Sequence, residues 1–335
     1  MMTDEPYRSV ERHEIGDAGP VSALALRGDR LAIGSGPRVT VTTLSSGRNA
    51  GEWSRELDWT AQRLELSHSG RFLLAESQAR NELELWDLVR DRSAGRFGSP
   101  VYGQPAVTGA FLHASDVVVV SPSTYLLEAY ALESGERIFA ADTRRPRAFA
   151  FRRIVAAADG DSLVAVGRYF SEMNDSLLVF SLARLAADPA AAAETTVNRE
   201  PFHDYAWLLV AGPCGPDEVV VFRDPDDTEE PDDDEDEDED EDELYGYRGL
   251  YVRSLRDGRL VERIAYDGPL GNADHVLGTP RIVAVGSRGQ VDLVPRRTSA
   301  QSAVRIPAAA IALDPAGARV AYVEPSSGTL QVLAL

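Results

Sequence analysis

One pattern recurs along the chain: an apolar strand, a tight turn, a second apolar strand, a loop, and a third strand that ends at a polar turn. The clearest copies are 63–88 (RLELSHSGRFLLAESQARNELELWDL) and 309–335 (AAIALDPAGARVAYVEPSSGTLQVLAL). Each has a four-residue turn that ends in glycine, Gly70 or Gly317, just before the second strand. The chain is therefore predicted to be built from repeated units of short strands.

The copies can be aligned on their second strands, which pass through Leu31, Phe72, Val117, Leu163, Val219, Ile282 and Val320. A repeat of about 40–45 residues made of short strands is typical of a β-propeller, in which each repeat forms one four-stranded blade. The two longest steps contain an alanine-rich insert (183–194), which is predicted to include a short helix, and an acidic tract (224–243). The prediction is an all-β, seven-bladed β-propeller, with six or eight blades as alternatives.

The two ends of the chain support this count. The last repeat stops after its third strand, whereas the segment before the first repeat belongs to no blade. If Val10–Ile15 is the outer strand of blade seven, both segments are explained and no open sheet edge remains. We therefore predict that the N-terminal strand closes the ring.

The repeats resemble the WD-repeat superfamily and its bacterial relatives. The resemblance is carried by LELWDL (83–88) with its Trp86-Asp87 pair, by the turns SHSGR (67–71) and DPAGAR (314–319), and by the strand ends ALESGER (131–137) and SLRDGRL (254–260). Only one repeat has the Trp-Asp pair and none has the Gly-His pair, so the usual His/Asp hydrogen-bond network is not expected. The resemblance implies a platform that binds protein partners.

The net charge of −20 is concentrated in one place. Residues 224–243 contain 17 carboxylates and no basic residue, and outside them 37 acidic residues face 34 basic ones. Such a run cannot bury apolar surface, so we predict a disordered, self-repelling loop inserted in blade five of a single propeller domain that spans 1–335. Its anchors are the strands at 218–223 and 249–255, which place it on the face of the inter-blade links.

The link into blade four, 143–153 (TRRPRAFAFRR), is rich in arginine. One interpretation is that these arginines are scattered surface residues beside a solubilising loop. The other is that the cluster binds an anionic partner by its planar donors, while the acidic tract competes for it or steers basic partners. The predicted partner-binding residues are Arg144, Arg145, Arg147, Asp232, Asp233, Asp234, Glu235 and Asp236.

A metal site at the mouth of the channel is the alternative. His203, Asp204, Asp274 and His275 precede the inner strands of blades five and six. Imidazole and carboxylate groups around a pore can hold Ca²⁺ or another divalent cation, which would make the protein a lactonase-like or other hydrolase propeller. The same positions are also where propeller repeats place structural histidines. No cofactor is expected under the preferred hypothesis.

The remaining features narrow the class. No apolar stretch approaches 18 residues and the N-terminal residues are polar, so neither a membrane span nor a signal peptide is predicted, and a cytoplasmic monomer is expected. The single cysteine, Cys214, is predicted to be buried filler near a strand end, and the four tryptophans are predicted to be blade core. The acidic pI argues against a nucleic-acid partner. The preferred hypothesis is a non-enzymatic scaffold or adaptor.

Overall fold

A computed structural model of the chain contains seven small antiparallel sheets arranged as a seven-bladed β-propeller, as the repeats predict. The described residues are 8–14, 20–44, 53–77, 79–98, 107–123, 125–143, 149–157, 159–169, 175–189, 209–215, 217–223, 249–256, 259–264, 266, 275–279, 282–287, 289–296, 303–314 and 319–334. All seven residues used to align the repeats lie in the second strands of their blades. The blade count is therefore confirmed.

Each blade runs from an inner strand at the axis to an outer strand at the rim. Blades one to three contain β2 (Val21–Arg27), β3 (Arg30–Ser35), β4 (Arg38–Thr43) and β5 (Trp53–Glu56); β6 (Arg63–Leu66), β7 (Phe72–Ser77), β8 (Glu82–Asp87) and β9 (Arg92–Gly98); and β10 (Thr108–Phe111), β11 (Val117–Ser123), β12 (Leu126–Ala131) and β13 (Glu136–Asp142). Blades four and five contain β14 (Phe149–Ala156), β15 (Ser162–Tyr169) and β16 (Asp175–Ser181); and β17 (Leu209–Gly215), β18 (Glu218–Arg223), β19 (Gly249–Ser254) and β20 (Leu260–Ile264). Blades six and seven contain β21 (His275–Gly278), β22 (Ile282–Ser287), β23 (Gln290–Pro295) and β24 (Val304–Pro307); and β25 (Ala310–Leu313), β26 (Arg319–Val323) and β27 (Thr329–Ala334).

The N-terminal strand completes blade seven. Strand β1 (Arg8–Glu14) pairs antiparallel with β27, from Arg8 opposite Ala334 to Glu14 opposite Thr329. The predicted closing strand is confirmed, although it begins two residues earlier than expected, and residue 15 lies outside the described residues. Pairing the first strand with the last covers the outer edge of β27 and makes β1 the outer strand of the blade.

The core is divided into seven hydrophobic clusters, one between each pair of neighbouring blades. Alternate side chains of a strand point to opposite faces of its sheet. In β7, Phe72 and Leu74 pack toward blade three, whereas Leu73 and Ala75 pack toward blade one. Both faces of a blade are buried in this way, which is why the second strands are almost uniformly apolar in sequence.

The Trp86-Asp87 pair is bonded differently from the usual repeat. The Asp87 carboxylate is 1% exposed and accepts two hydrogen bonds from the Arg71 guanidinium, from Nε at 3.1 Å and from an Nη at 2.8 Å. These contacts hold the pKa of Asp87 below its usual range, chiefly through the Arg71 hydrogen bond. Trp86 packs against Trp53 with ring centroids 5.7 Å apart. Arginine therefore supplies the donor that histidine supplies in the usual network.

The alanine-rich insert begins with a short helix, as predicted. Helix α1 (Leu182–Ala187) starts at Ser181, whose hydroxyl accepts from the Arg184 amide, and buries Leu182 and Leu185 against blades three and four. Polar N-caps of this kind satisfy one of the free amides of the first helical turn. The end of the insert, 190–194, lies outside the described residues.

Candidate functional site

A cavity of about 120 Å³ lies where the inner strands of the blades meet. All seven inner strands, β2, β6, β10, β14, β17, β21 and β25, contribute to its wall, so the cavity is part of the central channel of the propeller. Its polar side chains are Arg27, Arg63, Glu65, His113, Arg153 and Asp314. A concave site with a few convergent polar groups is the usual form of a binding site.

The centre of the charged cluster is an ion-pair network on blade two. Arg63 contacts Glu65 at 2.6 Å and Glu76 at 2.9 Å, and it also donates to the Gly109 carbonyl at 2.8 Å. The side chain of Glu76 is only 2% exposed and accepts a further hydrogen bond from Thr108. Burial alone would lower the pKa of Arg63, but Glu76 and Glu65 outweigh that effect and raise it. The single positive charge of Arg63 is thus shared between two carboxylates, of which Glu76 has almost no access to water.

Two further groups at the channel carry shifted pKa values. Burial raises the pKa of Glu65, and the opposing effects of Arg63 and of the Phe111 amide, 2.9 Å from the carboxylate, only partly compensate. Burial also lowers the pKa of Arg153 to about 10, and repulsion from Arg63 adds to the shift. A guanidinium that loses its proton more readily than usual reports a dry and locally positive environment.

Toward the end of the channel where the inner strands finish, Arg27 contacts two histidines. Its guanidinium lies 3.2 Å from Nδ1 of His113 and 2.9 Å from Nδ1 of His68, and it donates to the His113 carbonyl at 2.9 Å. Burial, with repulsion from Arg27, lowers the pKa of His113 to about 4. His113 is therefore neutral at physiological pH, and its Nδ1 carries no proton and accepts a hydrogen bond from Arg27.

The wall opposite the charged cluster is made of small or apolar residues. The inner strands of blades five to seven contribute Gly212, Gly278, Ala312 and Leu313 to the cavity. Gly278 has no room for a side chain, because a Cβ there would lie 2.7 Å from Sγ of Cys214. Cys214 itself is fully buried near the end of β17, as predicted. The channel is thus asymmetric, with charge on one side and close packing on the other.

The predicted partner-binding residues, Arg144, Arg145, Arg147 and Asp232 to Asp236, lie outside the described residues. The position of β14 does correct one assignment: Arg152 and Arg153 belong to the inner strand of blade four and not to the link before it. Arg153 consequently lines the channel instead of the inter-blade face. Trp53 and Trp59 are buried in the blade core, as predicted, and residue 207 lies outside the described part.

Of the predicted metal ligands, His203, Asp204 and Asp274 lie outside the described residues, and His275 is the first residue of β21. Within the described part of the chain, no group of three or more His, Cys, Asp or Glu side chains is arranged to hold a metal ion. The divalent-cation site stays a prediction. Across the same residues, no helix is long and apolar enough to cross a membrane.

Sequence reasoning did not identify Arg27, Arg63, Glu65 or His113 as site residues. Arg63 and Glu65 alternate with Leu64 and Leu66 in β6, a pattern that predicts only a half-buried strand. A usable signal was the position of the charges: Arg63 and Glu65 share one face of a strand that the repeats place innermost, beside the axis.

Comparison with known proteins supports the fold alone. No protein-family model matches the sequence, and no curated protein matches it. Among solved structures, the chain is similar to Kuenenia stuttgartiensis hydrazine synthase, with a TM-score of 0.64 and 14% identity over 96% of this chain and 97% of that one. Because 1538 chains of solved structures match, such a likeness does not choose among functions. The chain is a seven-bladed propeller, and membership of the WD-repeat superfamily stays a prediction.

Proposed function

We propose that the protein is a non-enzymatic interaction platform whose acidic tract attracts a basic protein partner. The observation that supports this most directly is the register of blade five. Strands β18 and β19 pair from Glu218 opposite Ser254 to Arg223 opposite Gly249. The two residues that flank 224–248 in sequence, Arg223 and Gly249, thus lie directly opposite each other in the sheet. The sheet is complete without residues 224–248, so the tract is free to serve a purpose other than folding.

The charge of the tract favours a binding role. It contains 17 carboxylates in 20 residues, while the rest of the chain carries a balance of only −3. Charge of one sign raises the encounter rate with an oppositely charged protein, and this effect weakens within a screening length of about 8 Å at physiological ionic strength. The partner is therefore expected to carry a cluster of Lys or Arg, and its association rate should depend on salt.

The proposal also includes a regulatory arrangement. Arg144, Arg145 and Arg147 immediately precede β14, the inner strand of the blade before the tract. If they bind an anionic partner, the tract competes with that partner for the arginines. Shielding of the arginines predicts that loss of the tract raises the affinity for polyanions. Steering predicts that it slows the association of a basic partner. Two separate measurements therefore distinguish the two roles.

The first experiment replaces all twelve acidic residues of 232–243 by Asn or Gln, which keeps the length of the tract. Association of a lysine-rich peptide is followed by stopped-flow fluorescence at several salt concentrations. The variant should associate more slowly than the wild type, with a flatter salt dependence, and should melt at the same or a slightly higher temperature because like charges are removed. Equal association rates at low salt would contradict steering.

The second experiment uses heparin as the probe and a variant in which Asp226–Glu243 is replaced by a short Gly/Ser turn. If the tract shields the arginines, this deletion raises the affinity for heparin. Adding Arg144→Ala and Arg145→Ala should then abolish the gain. If the deletion leaves heparin affinity unchanged, shielding is wrong while steering is still judged by the first experiment.

A further inference from the structure

Arg27 is a channel cation whose contacts are all with neutral groups. Its three hydrogen-bond partners are Nδ1 of His68, Nδ1 of His113 and the His113 carbonyl. The neighbouring channel arginine differs, since Arg63 contacts both Glu65 and Glu76. Among the described residues, no carboxylate forms an ion pair with Arg27. Asp314, Glu65 and Asp116 lie near enough to favour its charge, but burial outweighs them and lowers the pKa of Arg27. An anionic ligand in direct contact would offset more of this cost.

The hydrogen bonds at this position fix the state of both histidines. A guanidinium can only donate, so each Nδ1 that it contacts must be an unprotonated acceptor. Nε2 of His113 lies 3.2 Å from the Ala156 carbonyl and is therefore the protonated nitrogen. The two imidazoles hold the Arg27 guanidinium in place without neutralising it. Three of its five N–H groups are used by these contacts, which leaves two for a ligand.

The nearby carboxylates are already engaged. Glu65 is bound by Arg63 and by the Phe111 amide. Asp314 lies 3.9 Å from Arg319, the first residue of β26. Burial, with repulsion from Arg63, lowers the pKa of Arg153 to about 10, so Arg153 is still a cation at neutral pH deeper in the channel. An anion that enters at Arg27 thus meets attraction from Arg27, Arg63 and Arg153, opposed by Glu65, Asp116 and Asp314.

The cavity has room for a small ligand only. Its volume of about 120 Å³ is slightly below the roughly 150 Å³ of an engineered protein cavity that holds benzene. The opposite wall, built from Gly212, Gly278 and Ala312, leaves the space in front of the charged side chains unoccupied by long side chains. A ligand of about five or six non-hydrogen atoms fits, which is the size of phosphate or of a short carboxylate.

We propose that this end of the channel binds a small oxyanion, of the phosphate or carboxylate type, through the guanidinium of Arg27. The ligand class differs from the basic protein assigned to the acidic tract, so this inference goes beyond the proposed function and does not depend on it. Nε–H and one N–H of Nη1 are left to donate, and hydrogen bonds from a charged guanidinium favour an oxyanion over a neutral ligand.

The test is isothermal titration calorimetry of the full chain at low ionic strength with inorganic phosphate, acetate and chloride as separate probes. Saturable binding of phosphate or acetate at one site per chain is expected, with chloride binding much more weakly. Arg27→Gln should weaken oxyanion binding by roughly 10- to 100-fold, the effect of losing a charged hydrogen bond. Arg38→Gln removes the same charge from the rim of the same blade and should leave binding unchanged, since Arg38 pairs with Glu56 and does not line the channel.

A second variant covers the case in which Arg27→Gln does not fold. Arg27→Lys keeps the positive charge and removes the planar fork, so it should bind the oxyanion with an affinity between those of the wild type and the Gln variant. The proposal is overturned if the wild type shows no saturable oxyanion binding, or if chloride binds as tightly as phosphate and acetate. It is also overturned if Arg38→Gln weakens binding as much as Arg27→Gln, or if folded Arg27→Lys and Arg27→Gln both bind as the wild type does.

Discussion

The two walls of the central channel are both formed by inner strands, but different interactions stabilise them. The inner strands of blades one, two and four bring Arg27, Arg63, Glu65 and Arg153 to the axis. Those of blades five to seven bring glycine, alanine and leucine, and Asp314 follows at the end of the last one. On the first wall the free energy depends on pairing buried charges. On the second it depends on the close approach of neighbouring inner strands, as at Gly278 and Cys214. The propeller fold thus does not determine which chemical groups line the axis, because these depend on the residues of each inner strand.

The largest effect on stability is expected from removing an ion-pair partner in the charged wall. Arg63→Met leaves Glu76 buried without its cation and should lower the free energy of unfolding by about 3–5 kcal/mol. Denaturant unfolding would measure it, with Arg38→Met as a control that should cost less than about 1 kcal/mol, because the Arg38–Glu56 pair is exposed. Adding Glu76→Gln to Arg63→Met should recover part of the loss. If Arg63→Met is as stable as Arg38→Met, the ion-pair network does not contribute to the stability of the fold.

A smaller effect is expected from breaking the packed wall. The Cβ of Gly278→Ala would lie 2.7 Å from Sγ and 2.9 Å from Cβ of Cys214, so blades five and six must separate slightly. Overpacking of this kind costs about 1–3 kcal/mol. Gly98→Ala is the matched control, since its Cβ meets Glu82 at an ordinary 3.5 Å. If both variants melt at the same temperature, the close approach of β17 and β21 does not constrain the fold.

The smallest effect on stability is expected from a change of pH, and the two walls should respond to it differently. Because the pKa of His113 is lowered to about 4 from its usual 6.5, folding favours the neutral imidazole. This contribution is complete above pH 6.5 and is lost as the pH falls toward 4. The loss of melting temperature between pH 7.5 and 5 should therefore be smaller in His113→Gln than in the wild type. His68→Gln, an exposed histidine on the same arginine, should differ less from the wild type.

The same pair of pH values tests the packed wall. The destabilisation by Gly278→Ala arises from steric contact with Cys214, whose sulfur also contacts the Arg296 guanidinium at 3.1 Å. Arg296 pairs with Glu218 and Glu262 and has a raised pKa, so it keeps its charge at both pH values. The destabilisation should thus be the same at pH 7.5 and pH 5. A pH-dependent penalty would mean that the two walls are coupled through the channel.

Local sequence was sufficient for the parts of the fold that depend on local pattern. The aligned second strands and the closing of blade seven by the N-terminal strand were predicted from the alternation, spacing and ends of the repeats, because each is a property of a short segment and its edge. The partner of Asp87 was not predictable in this way. Its carboxylate needed a donor, and the residue after the Gly70 turn, Arg71, provides it.

The candidate site was decided by tertiary structure. Arg27, His113 and Arg153 belong to blades one, three and four, and each alone resembles an ordinary polar residue at a strand end or on a strand. Their meeting requires the ring to close, so that inner strands far apart in sequence surround one axis. The sequence by itself determined the repeats, their number and the strand that joins the ends, since these follow from hydrophobic period and chain order. Only the closed ring decided which charged side chains face each other, how deeply they are buried and where the cavity lies, because all three depend on distances between blades.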